Sequence, residues 1–262
     1  MSLAQVIKTE LYKNSRRKSS LILFIPMLLA IVVTFGYAHG VIELNLTTGG
    51  TGAYSCMDFI FIVWNVLSGL GIMGILLILF AAFQFSGEIE RGQIKLMLLR
   101  IGKRSTVVLG KYLATVIAAV IFIIGTLLVC IGSYYLFVSG SSMGTGTFAS
   151  TIDGFSTMSI WGSIALQVLM YLFLIGITFF VGLFVNPFVT FILAIVIMYA
   201  GNYLAGAENA VSKLLPAYWS NQLMLNETVS NASVVISICF IVILTMILML
   251  VTTALFRKQD IK

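Results

Sequence analysis

From Ser159 to Ala205 the chain reads SIWGSIALQVLMYLFLIGITFFVGLFVNPFVTFILAIVIMYAGNYLA, without a charged residue or a histidine. A membrane crossing by one helix needs roughly 20 predominantly apolar residues, so this stretch is far too long for one span and long enough for two. Asn186-Pro187 supplies the division. Proline pushes the residue before it out of helical geometry and has no N–H to donate, which predicts a tight turn between spans at Ser159–Val185 and Pro187–Ala205.

Working outward, Leu21–Ala38, Met57–Phe85 and Thr106–Val138 precede this pair and Ala232–Phe256 follows it. Six predicted spans fill a chain of 262 residues that is 60% hydrophobic and 9% charged, with a mean hydropathy of +1.09. A soluble domain carries about a quarter charged residues, so the composition excludes a water-soluble fold and leaves no room for a separate catalytic domain. The predicted class is an all-α membrane protein, one transmembrane domain over residues 1–262. Within the second run, Gly69-Leu70-Gly71-Ile72-Met73-Gly74 spells a dinucleotide fingerprint, but it lacks the strand and helix that such a motif needs. Inside an apolar run its small residues predict close helix packing or local flexibility.

Charge orients the set. Fourteen of the fifteen basic residues lie before the first span, around the loop between spans two and three, or after the last; only Lys213 lies on the other side. Basic residues in short loops stay in the cytoplasm, so both termini are predicted there, as an even number of spans requires. The net charge of +6 therefore reads as a topology signal, and nucleic acid is not an expected partner. Residues 1–20 are predicted to form an interfacial helix on the inner leaflet, with Leu3, Val6, Ile7 and Leu11 on its apolar face and Lys8, Arg16, Arg17 and Lys18 supplying charge. The apolar run after it is too long for a typical cleaved signal peptide, so it is expected to persist as the first span. On the other side, the loops at 41–56 and 139–158 are glycine- and serine-rich, and 206–231 is expected to hold an amphipathic segment at the outer interface, bearing Val211, Leu214, Leu215, Tyr218 and Trp219.

Chemistry-bearing constellations are sparse. Cys56, Cys130 and Cys239 have no metal-ligand spacing, His39 is the single histidine with no serine nucleophile tied to it, and no His-Glu-x-x-His helix occurs. No metal or resident cofactor is expected, and no enzymatic activity. Every acidic residue maps to a loop or a span end, while only neutral groups such as Asn65, Gln167 and Thr178 lie deep. These three are the candidates for a substrate path. Ion-coupled transport would need ionisable groups within spans, so energy for any transport has to come from elsewhere.

The most informative segment lies between spans two and three: Ser86-Gly87-Glu88-Ile89-Glu90-Arg91-Gly92-Gln93-Ile94-Lys95-Leu96-Met97-Leu98-Leu99-Arg100-Ile101, then Arg104-Ser105 and Gly110-Lys111. Ile94, Met97, Leu98 and Ile101 share one helical face, with Arg91, Lys95 and Arg100 elsewhere on the helix. Such an apolar ridge is expected either to rest on the inner leaflet or to enter a groove on a soluble partner. Here the chain resembles the permease subunits of type-2 ABC exporters of the bacterial peptide-export, antibiotic-export and immunity kind. Glu88, Glu90, Gly92, Ile94, Lys95, Leu98, Leu99, Arg104, Ser105, Gly110 and Lys111 fit that family's loop pattern; Gln93 stands where Thr is usual and Ile101 where Pro is common. The close Phe256-Arg257-Lys258-Gln259-Asp260-Ile261 is also similar.

The resemblance implies a plasma-membrane permease that pairs with a second copy or a related permease and docks on a separate ATP-binding-cassette subunit, where ATP and Mg would bind. It implies that Glu88, Glu90, Arg91, Gly92, Ile94, Lys95, Met97, Leu98 and Ile101 form the transmission element, with Glu88 and Glu90 meeting the partner or neighbouring basic groups, and that the N-terminal helix braces it. A nearly uncharged membrane region suits a hydrophobic or amphipathic cargo such as a peptide or antimicrobial. The alternative expectation is a sensor or immunity component that sequesters a ligand without transport.

Overall fold

A computed structural model describes residues 2–43, 53–151, 156–207, 209–224 and 230–258; the Thr48–Gly52 stretch of the first far-side loop lies outside them. The described chain is helical, and six of its helical segments are long and apolar enough to cross a membrane: Lys18–Ala38, Ile72–Glu90, Arg104–Val138, Thr157–Val181, Pro187–Ala205 and Asn231–Lys258.

Helix α1 (Leu3–Arg16) opens with a capping box, in which Ser2 accepts from the Gln5 amide and Gln5 reaches back to the Ser2 amide. The chain extends at Arg17, tightens into a 3-10 turn over Lys18–Phe24, and continues as α2 (Ile25–Ala38) with Pro26 in the first turn, where a missing N–H costs nothing. The Asn186-Pro187 division is as expected. Asn186 is extended and caps α9 (Pro187–Ala205) by accepting from the Val189 amide, and α8 (Thr157–Val181) ends just before it.

The second run departs from expectation. Instead of one span from Met57 to Phe85, the structure has α3 (Cys56–Gly69) and α4 (Ile72–Gln84), broken at Gly71, whose φ of +72° favours glycine. The Gly69–Gly74 stretch, expected to give close packing or local flexibility, does both: Gly71 breaks the helix, and a Cβ on Gly74 would lie 2.3 Å from the Met198 sulfur. Helix α3 is too short to cross alone and is enclosed by protein, every residue from Cys56 to Trp64 being buried. Its capping carboxylate, Asp58, is also buried. It accepts from Ser55, Ser150 and Thr151, which ties the far-side loop to the start of α3.

The short α5 (Ser86–Glu90) and α6 (Gln93–Ile101) follow, then α7 (Arg104–Ser133), which runs on through a π-helical turn at Tyr134–Val138. Thirty-five residues at 1.5 Å each make roughly 50 Å, longer than the ~30 Å hydrocarbon core of a bilayer. At the far end Tyr37, Phe59 and Tyr134 pack as a ladder with centroids 5.6 and 5.8 Å apart, and the Tyr134 hydroxyl donates to the Tyr54 carbonyl at 2.7 Å.

In the 206–231 segment Pro216 starts a helix, α10 (Pro216–Met224), which packs on α8, with Tyr218, Ser220 and Gln222 buried and the Ser220 hydroxyl on the Ser163 carbonyl; Val211 is left exposed. Helix α11 (Asn231–Lys258) closes the bundle. Arg104 donates to the Phe256 and Arg257 carbonyls, so the starts of α1 and α7, the α5–α6 loop and the end of α11 share one end, the basic end.

Candidate functional site

At the basic end, Glu88 is buried where four elements meet. Lys111, two turns into α7 and 1% exposed, pairs with Glu88 and donates to Glu10 of α1 at 2.8 Å. Lys13 bridges the same two carboxylates, 2.5 Å from Glu88 and 3.3 Å from Glu10, and Arg17 completes the set by pairing with Glu88. The Arg17 guanidinium also forks to Gln84 at the end of α4 (2.9 Å) and Gln93 at the start of α6 (3.0 Å). Three cations face two carboxylates. Burial is the main effect holding the Lys13 ammonium below its ordinary pKa, with Lys111 adding to it, while the bond to Glu88 pulls the other way.

Of the two carboxylates expected to meet the partner or neighbouring basic groups, Glu88 meets basic groups, in a buried internal junction, while Glu90 and Arg91 are exposed. In α1 the stripe facing protein is Val6, Glu10 and Asn14, whereas Leu3 is exposed and Ile7 and Leu11 are half-buried; Arg16 is exposed and lies over the Tyr12 ring. Val6 fits against Gly110 of α7, where an added Cβ would come within 2.4 Å of its Cγ1. The i, i+4 spacing of Val6, Glu10 and Asn14 was visible in sequence, but two of the three are polar, so an apolar-face search passed over them.

Helix α6 is bounded by two glycines in left-handed geometry, Gly92 (φ +68°) and Gly102 (φ +73°). Gly102 makes the exit that Ile101, in place of proline, left undefined. The expected docking ridge mostly turns inward: Ile94 is fully buried and Leu98 packs on the core, while Met97 and Ile101 line a cleft against Val6, Thr9 and Lys13 of α1. Leu96 and Leu99 border the same open cleft and are 68% and 84% exposed, with Lys95 and Arg100 beside them. Four residues per two turns cannot all face both core and solvent, and periodicity does not say which side the core occupies.

Of the deep neutral residues, Asn65 and Gln167 come together in a cavity of about 360 Å³ between α3, α8, α9 and α10. Gln167 accepts from the Trp64 indole at 2.7 Å. Thr178 is elsewhere, buried with its hydroxyl on the Leu174 carbonyl. Among the described residues no cluster of His, Cys, Asp and Glu could hold a metal ion; Cys56 and Cys130 are buried free thiols and Cys239 is exposed.

Fold and site together define a multi-helical integral membrane protein with a braced surface helix at its basic end. Residues 21–262 match the family described as "Protein of unknown function (DUF2705)", and the chain belongs to that family. No curated protein matches it.

Proposed function

We propose that the chain is the permease subunit of an ATP-driven exporter in the plasma membrane, with its basic end in the cytoplasm and ATP hydrolysed by a separate cassette subunit. The observation that carries this reading is α6. One face is pinned by Ile94, Leu98 and the Gln93–Arg17–Glu88 junction, and the other presents Leu96 and Leu99 to solvent between cations. An exposed apolar pair on a short, well-anchored helix suits a helix-in-groove contact. A push on that helix would reach α1, α4, α5 and α7 through one buried junction. Differential binding of the ATPase to two such arrangements is what drives a conformational cycle. The permease works as a pair, with a second copy or a related permease, and the cargo is hydrophobic or amphipathic.

The test is co-purification from the native membrane, with the retained ATPase identified by mass spectrometry and assayed. Leu99→Asp together with Leu96→Asp should abolish retention while leaving the melting temperature of the purified chain unchanged, because both side chains are already in solvent. Undiminished retention in that double variant, or no ATPase with the wild type, sinks the proposal and leaves a ligand-sequestering component as the better reading.

A further inference from the structure

The cavity that joins Asn65 and Gln167 has an unusual wall. None of its lining residues is charged, yet four of them are side-chain amides: Asn65 from α3, Gln167 from α8, Asn202 from α9 and Asn221 from α10. Among the described residues the side chains of Asn65, Asn202 and Asn221 have no hydrogen-bond partner, and Gln167 uses only its oxygen, on Trp64. The remaining wall is chiefly apolar and aromatic. Gly69 and Gly201 line it as well, and a Cβ added to either would meet nothing within 4 Å.

We propose that this cavity binds an uncharged, amide-bearing apolar molecule, such as a capped hydrophobic peptide segment. Its volume of about 360 Å³ lies at the small end of ligand pockets, roughly 300–1,000 Å³. Asn202 and Asn221 are exposed and Asn65 and Gln167 half-buried, so an occupant would itself take these amides out of water; an amide so removed without a partner costs about 1–3 kcal/mol, which favours an occupant with its own N–H and C=O groups. A lipid chain would leave them unpaired. A carboxylate or phosphate would find no cation in the wall and would itself be desolvated. As the cargo site of an exporter the cavity rests on the proposed function; as a binding site it does not, and the test keeps the two apart by using neither nucleotide nor ATPase.

The purified full chain in phosphatidylcholine nanodiscs is titrated with radiolabelled N-acetyl-Leu-Phe-Leu-amide, with the free acid N-acetyl-Leu-Phe-Leu and with tetradecane as competitors. Saturable binding of the amide is expected, with the acid competing about tenfold less well and tetradecane not competing. Gly201→Phe and Gly69→Phe, which fill the space, should weaken binding by at least about tenfold, while Gly132→Phe, at a glycine outside the cavity whose Cβ also meets nothing, should not. Gln167→Leu, which removes an amide at similar volume, decides the matter should either filled variant fail to fold. Absence of saturable binding, equal competition by acid or alkane, or binding indifferent to these substitutions overturns the proposal.

Discussion

Lys111 shows what a single residue decides in this chain. Its position in the Gly110-Lys111 pair reads as the basic start of a span, but the structure buries it between two carboxylates from different elements. A buried ion pair is weak grounds for stability as a whole, yet deleting one member is costly because its partners stay buried and charged. Lys111→Met should therefore lower stability by about 3–5 kcal/mol, and adding Glu88→Gln should recover part of that, measured by thermal unfolding in nanodiscs. A loss in the double variant equal to the sum of the losses in Lys111→Met and Glu88→Gln alone would mean that the two residues are not coupled. The acidic residues were readable as lying at span ends. That Glu10, Glu88 and Lys111 converge was not, because 78 residues of chain separate the first two and only the packing of α1 on α7 brings them together.

At the scale of elements, the positions of five spans were legible, since long apolar runs and a Pro after an Asn leave few alternatives. The break within the second run was present only as letters. Gly-x-Gly inside an apolar helix does not state whether its glycines pack or turn, and the answer depends on Met198 and Tyr199 of α9 lying against Gly71 and Gly74. The face of α6 was legible as a ridge but not its direction. Besides the ion pairs of Glu10 and Lys13, helix α1 makes one close approach to α7, Val6 on Gly110. Gly110→Leu is expected to displace α1 and with it Glu10 and Lys13 from the junction. Protease cleavage within residues 3–16 should then become faster, while Gly132→Leu, whose Cβ has open space, should leave it unchanged.

For the whole molecule, the gathering of basic residues at one end is now a matter of geometry as well as sequence, through the contacts of Arg17, Lys111 and Arg104. That asymmetry predicts orientation. With exposed Cys239 changed to Ser, a membrane-impermeant maleimide should label Val211→Cys in intact cells and Leu99→Cys only after permeabilisation. The reverse pattern would invert the topology and, with it, the docking role of α6.

The enclosure of α3 has a consequence for how the chain is made. A nascent membrane protein enters the bilayer segment by segment, and α3 emerges before α7 and α8, whose side chains cover it. Until they arrive, the Asp58 carboxylate and the Trp64 indole lack the Ser150, Thr151 and Gln167 groups that satisfy them. Unpartnered polar groups are unwelcome in lipid. Residues 56–69 are therefore expected to settle into the bundle only after residues 150–151 and α8 have been made, though they are translated earlier.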